Sequence, residues 1–137
     1  MTSLTRVRAF IDDTIARARQ TGHVRTLLGR LRRLPDLRSK NFPVRMEAER
    51  QAMNTPVQGS AADLIKKAMV DLHRELGARK MRSRLILQIH DELLLEVPEA
   101  ETEAARALVE AVMEGALKLD VPLVADARLG KNWAEVH

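Results

Sequence analysis

Three polar residues, His90, Asp91 and Glu92, interrupt an apolar run in LILQIHDELLLEVP, residues 85–98. The flanks, 85–89 and 93–97, read as two strands, and Pro98 ends the second. A tight turn between Ile89 and Leu93 pushes Asp91 and Glu92 out at a hairpin tip, and the paired strands give that tip a rigid base. Carboxylate oxygens are the donors that hard cations such as Mg²⁺ take. Phosphoryl transfer uses such ions to activate an attacking oxygen and to stabilise a leaving one. Turn composition alone also accounts for the triplet, because Asp is common in turns. A lone His is more often structural than a ligand.

A second set of residues could do recognition rather than catalysis. Arg50, Asn54 and Gln58 recur at four-residue spacing, and all three donate hydrogen bonds. Arg50 and Asn54 share a helix face, and Gln58 sits just past the expected helix end. The DNA minor groove offers purine N3 and pyrimidine O2 acceptors at every base pair. A row of donors facing it can test base-pair geometry without reading sequence. A polar helix face with a capping Asn is the plainer alternative.

These residues must be positioned by elements legible in the pattern. Residues 5–21 read as a helix with Val7, Phe10, Ile11, Ile15 and Ala18 on one face and Gly22 as its stop. HVRTLLGRLRRLPD, 23–36, reads as a short basic hairpin around Gly29, closing in a Pro-Asp turn. A second helix over 44–54 is expected to end near Asn54, since Pro56 biases Thr55 away from helical geometry. Ser60 and Asp63 then have capping-box spacing. Leu64, Ile65, Ala68, Met69, Leu72 and Leu76 follow as an apolar stripe that stops at Gly77. Residues 99–119 read as a long helix with Ala104, Ala105, Leu108, Val109, Val112, Met113, Ala116 and Leu117 buried. VPLVADARL, 121–129, reads as a last strand. The expected class is α+β: a small, mostly antiparallel sheet bearing the carboxylate hairpin, with helices over one face.

Composition narrows the partners. In 137 residues the formal charge is +4, and residues 1–45 hold eleven Arg or Lys against three Asp. An Arg-rich half suggests a polyanion, nucleic acid before others, although a solvated basic surface is the alternative. With aromatics at 2%, the core must be aliphatic. There is no Cys, which excludes disulfides and thiolate metal sites and agrees with a reducing cytoplasm. No apolar run approaches a membrane span, and charges at Arg6 and Arg8 precede any signal-like segment. The expectation is therefore a cytoplasmic, nucleoid-associated protein with no membrane partner.

ERQAMNTPVQGSAADLIKKAM followed by LILQIHDELLLEVP resembles the C-terminal end of the family A DNA polymerases of bacteria. RVRAFIDDTIARARQTGHVRTLLGRLRRLPDL looks like the segment that leaves the fingers for the palm, and DVPLVADARLGKNW resembles the closing strand and terminal Trp. The order and spacing of these blocks agree over nearly the whole chain. The resemblance implies a single partial domain, with 1–43 the fingers-to-palm helix and basic hairpin and 44–137 the C-terminal palm portion. It implies that Asp91 is a Mg²⁺ ligand, that Glu92 supports it, and that His90 lies near the primer 3′ end. It implies that Arg50, Asn54 and Gln58 contact the primer–template minor groove. Arg30, Arg32 and Arg33 match the family's GRRR-like basic hairpin. His23 stands where the family usually has an aromatic, and Leu31 and Leu34 interrupt its basic and aromatic pattern.

Two family motifs have no counterpart in this sequence. One is the DYSQIELR-like strand that carries the second metal aspartate. The other is the RxxxKxxNFGxxYG-like helix that binds the incoming deoxynucleoside triphosphate. The expectation is a chain with DNA-directed DNA polymerase chemistry, inactive alone and using a two-metal Mg²⁺ site that is incomplete here. Its partners are primer–template duplex DNA, nucleotides only with the missing fingers, and a separately encoded N-terminal polymerase piece if the enzyme is split. The alternative is a duplex-DNA-binding fragment without catalysis, whose binding is strongly salt-dependent. A remnant that folds without function is a further reading.

Overall fold

A computed structural model describes residues 2–119 and 123–136 of the chain. The chain divides into two compact units, Met1–Asp63 and Leu64–His137. The elements in order are α1 (Thr2–Thr21), β1 (His23–Arg25), β2 (Leu31–Arg33), a 3₁₀ turn (Pro35–Arg38), α2 (Phe42–Asn54), a π turn (Thr55–Gly59), α3 (Ser60–Ala78), β3 (Arg84–Ile89), β4 (Glu92–Glu96), a 3₁₀ turn (Glu99–Glu101), α4 (Thr102–Gly115) and α5 (Trp133–Val136). The class is α+β, with each pair of strands forming its own antiparallel sheet. Among the described residues no helix is long and apolar enough to cross a membrane.

In the first unit, α1 stops at Gly22, whose φ of +80° suits glycine and whose N–H donates to the Ala18 carbonyl at 2.7 Å. Arg38 completes that helix end by donating to the Arg19 and Gln20 carbonyls, each at 2.9 Å. The core is Ala18, Val24, Leu34, Leu37, Ala48 and Ala52. The alanines on α1 and α2 leave little bulk between the helices, so the backbones approach closely. The expected apolar face of α1 is buried only at its C-terminal end. Val7 and Phe10 remain 55% and 49% exposed, because three-residue strands and α2 cover only the end near Ala18.

The expected break at Asn54 is absent. Thr55 is helical (φ −60°, ψ −43°), and the chain runs from α2 through the π turn into α3. Pro56 lacks an N–H and crowds the preceding turn, which ends or kinks a helix of ordinary pitch. The wider π turn removes the conflict by shifting the bonding pattern at that point. The capping box is likewise absent. Ser60 sits inside the helical path (φ −66°, ψ −40°) and its hydroxyl bonds back to the Pro56 carbonyl. Asp63 turns to the basic hairpin.

In the second unit, Leu72, Leu76 and Leu108 form the buried centre, with Met81, Leu85, Leu93, Leu95, Val109 and Val112 packed around it. The helix α3 ends not at Gly77 but in a Schellman motif at Lys80 (φ +56°). Met81 N–H donates to the Leu76 carbonyl at 3.0 Å and Lys80 N–H to Gly77 at 3.1 Å. The Met81–Leu76 contact supplies the hydrophobic part of that motif.

The hairpin pairs Leu85 with Leu95 and Leu87 with Leu94, leaving Ile86 as a bulge that is 54% exposed. The helix α4 is shorter than the expected 99–119. A 3₁₀ turn opens it, and it stops at Gly115, a poor helix former. Ala105, Leu108 and Ala116 are buried, but Ala104 falls outside that stripe and is exposed. Residues 123–129 are not a strand, and 121–122 lie outside the described residues. Leu123, Ala125 and Ala127 alternate with exposed neighbours as a strand would, yet no ladder forms. Alternation makes a segment extended, but only a partner strand makes it part of a sheet. The segment is tied to α4 by the Ala125 N–H donating to Glu114 at 3.1 Å.

Candidate functional site

The carboxylate hairpin turns in two residues. Ile89 pairs with Glu92, so His90 and Asp91 alone form the loop and Glu92 opens β4. A two-residue hairpin loop demands positive φ, which usually selects Gly or Asn. Here His90 takes that conformation (φ +55°), at a cost of about 1–2 kcal/mol for an L-residue. Gln88 braces the turn by donating from its side chain to the His90 carbonyl. Asp91 is exposed at the tip. Glu92 alternates with Leu93 and Leu95, which face the leucine core, so its side chain leaves the opposite face. At the hairpin base, Arg84 bonds Glu96 at 2.9 Å, and that contact raises the Arg84 pKa.

The tip supplies hard oxygen donors of the kind Mg²⁺ takes. Among the described residues, however, no three His, Cys, Asp or Glu side chains come together as a metal-holding group. Two-metal sites keep their ions about 4 Å apart with ligands on both. One carboxylate pair does not make that arrangement, so the described residues do not fit a complete two-metal centre.

The recognition residues Arg50, Asn54 and Gln58 are all exposed. Arg50 is ion-paired with Glu47 one turn back. Gln58 lies within the π turn and not past a helix end. In an α-helix, residues four apart drift by about 40° around the axis. A turn closed by i→i+5 bonds rotates less per residue, so the drift from Asn54 to Gln58 runs the other way. The π turn thus brings Gln58 back toward the side of the helix axis that Arg50 occupies.

The basic hairpin pairs His23 with Arg33, Val24 with Arg32 and Arg25 with Leu31. Gly29 (φ +89°) makes the tip, and Arg25 donates to its carbonyl at 2.9 Å. Arg32 and Arg33 are exposed, with Arg32 reaching the Thr55 hydroxyl at 3.4 Å. Arg30 is engaged differently: its Nε donates to Asp63 Oδ1 at 2.7 Å. The Thr26 hydroxyl donates to Asp63 Oδ2 at 2.6 Å, and Leu27 N–H donates to Ser60 Oγ at 2.8 Å. The sequence signal for this cluster was the Ser60–Asp63 spacing, which has the form of a cap and serves as a tether. A second carboxylate found only in the structure is Glu101. It accepts the Arg82 and Ser83 N–H groups and the Ser83 hydroxyl, at 2.7–3.0 Å. Those bonds hold its pKa below the usual carboxylate value.

Comparison with known proteins identifies the family. The family model for DNA polymerase family A matches residues 1–135. The chain is 51% identical over 127 residues to DNA polymerase I of Bacillus subtilis, covering 93% of this chain and 14% of that protein. It is 51% identical over 133 residues to the thermostable DNA polymerase I of Thermus filiformis, covering 97% and 16%. Among solved structures, the polymerase domain of Pol1 from M. smegmatis, in complex with DNA primer–template and dNTP, superposes with a TM-score of 0.82 at 48% identity. That match covers 85% of this chain and 20% of the other. The chain thus spans only a small part of the length of these relatives. With the family model matching residues 1–135 and relatives at about half identity over more than nine-tenths of the chain, the chain belongs to DNA polymerase family A.

Proposed function

We propose that this chain is the part of a family A DNA polymerase that holds the primer terminus and contributes one side of the catalytic site. The observation that carries the reading is the His90–Asp91 turn, a strained two-residue tip on paired strands in a chain of this family. Asp91, assisted by Glu92, supplies part of the ligand shell of Mg²⁺. His90 lies at the primer end, and Arg50, Asn54 and Gln58 meet the minor groove of the primer–template. Arg32 and Arg33 meet phosphates. Arg30, paired with Asp63, acts on DNA through the hairpin it holds. Residues 1–43 correspond to the path from fingers to palm and 44–137 to the C-terminal palm. Alone, the chain makes no nucleotidyl transfer, since the second ligand cluster and the nucleotide-binding helix must come from elsewhere. Deoxynucleoside triphosphates bind only when that piece is present.

Primer extension with Mg²⁺ and four deoxynucleotides tests this, with the chain alone and mixed with a family A polymerase piece ending before residue 1. Extension in the mixture only, lost with Asp91→Ala, is expected. Extension by the chain alone refutes the incomplete-site argument. Silence in both, with both pieces folded, leaves the second reading, a duplex-DNA-binding fragment. That reading is favoured by the exposed arginines and by the lack of a metal-holding group among the described residues.

A further inference from the structure

The π turn that carries Gln58 has a partner that neither the family match nor the catalytic reading assigns. The tip of the basic hairpin lies against it. Gly59 marks the closest approach: a Cβ built there would stand 2.9 Å from Thr26 Cγ2, 3.3 Å from Arg30 Nη2 and 3.4 Å from Thr55 Cγ2. The first distance is shorter than real carbon contacts. Thr26 cannot easily swing aside, because it is β-branched and its hydroxyl is held by Asp63 at 2.6 Å. Asp63 is buried, 8% exposed, and binds both Thr26 and Arg30. The Thr26 hydroxyl in turn accepts the Arg30 N–H at 3.1 Å. Ser60 accepts Leu27 N–H and donates to the Pro56 carbonyl, so one hydroxyl joins the hairpin tip to the turn that Pro56 disturbs.

We propose that Gly59 and Asp63 are positioning residues that lock the basic hairpin onto the π turn and thereby keep Gln58 on the same side of the helix axis as Arg50 for contact with duplex DNA. The lock is a property of the first unit alone; its DNA role rests on the minor-groove reading above. Without it, the wide turn loses the groups that cover its inner side, and relaxation to ordinary pitch would restore the drift of about 40° per four residues. Gln58 would then stand about 80° around the axis from Arg50 instead of on the same side.

Two measurements on the full chain test the two halves. Hydrogen exchange at the Leu27 and Arg30 amides reads the lock. In Asp63→Asn both should exchange at least about tenfold faster, with α1 amides unchanged, because the opening is local. Binding of a primer–template duplex reads the alignment. Gln58→Ala should weaken binding about fivefold in the native chain, the effect of one hydrogen bond. In a Gly59→Ala background Gln58→Ala should cost nothing further. Adding Thr26→Ser, which removes the clashing methyl and keeps the hydroxyl, should restore the cost of Gln58→Ala. Unchanged exchange in Asp63→Asn overturns the lock. An equal cost of Gln58→Ala with and without Gly59→Ala, or no rescue by Thr26→Ser, overturns the alignment. No effect of Gln58→Ala in the native chain overturns the DNA role together with the minor-groove reading, and leaves the exchange result to judge the lock.

Discussion

Replacing Arg32 and Arg33 together by Ala should change how duplex DNA binding responds to salt by a calculable amount. Each phosphate contact releases counterions and contributes about 0.9 to the slope of log K against log salt. Both guanidinium groups are exposed on β2, so the double variant should lower the slope by roughly 1.8. Between 50 and 200 mM salt the native chain should then lose about 12-fold more affinity than the variant. Arg30→Gln should behave otherwise. Its charge already faces Asp63 at 2.7 Å, so the slope should fall by less than about 0.5. Fluorescence anisotropy of a labelled primer–template across that salt range measures both. A slope unchanged in the double variant, or an Arg30→Gln slope loss as large as that of Arg32→Ala, would refute the assignment of phosphate contacts on the hairpin.

The other predictions concern stability. Leu72→Ala removes three buried carbons from a wholly buried side chain, about 2.4 kcal/mol of transfer at 0.8 per carbon. The cavity raises the cost to about 3 kcal/mol, near the low end of the usual range, because partly buried neighbours such as Met81 and Leu85 can close in. Urea unfolding followed by circular dichroism should show a midpoint lower by about 1.5 M; a loss below about 1 kcal/mol would mean that Leu72 is not in a packed core. His90→Gly should stabilise the chain by about 1 kcal/mol, since glycine takes positive φ without penalty; a less stable variant would show that the imidazole packs to hold the turn. Glu101 has a lowered folded pKa, so its contribution is present above the ordinary glutamate value and is lost as pH falls through the lowered one. Thermal melts of Glu101→Gln should depend less on pH on the acid side than those of the native chain, and parallel profiles would contradict that.

The class, the two hairpins and the family were all legible in one dimension. Hairpins are local, and their turn and alternation signals lie within a dozen residues, as in HVRTLLGRLRR and LILQIHDELLLEV. The carboxylate tip followed from the same local logic, although the turn proved to be His90–Asp91 with Glu92 already in β4.

What failed was wherever distant groups competed with local preference. Pro56 and the Ser60–Asp63 spacing both predict a break followed by a new helix. The basic hairpin, some thirty residues earlier, supplies the partners for Ser60 and Asp63 that a helix start would otherwise need. The alternation in 123–129 was real, but a strand exists only where another strand offers its backbone, and none among the described residues does. Residue types and periodicity settle which local conformations are cheap. Only the tertiary structure decides which of them are completed by a neighbour, because a hydrogen bond has two ends and the sequence near one end does not contain the other.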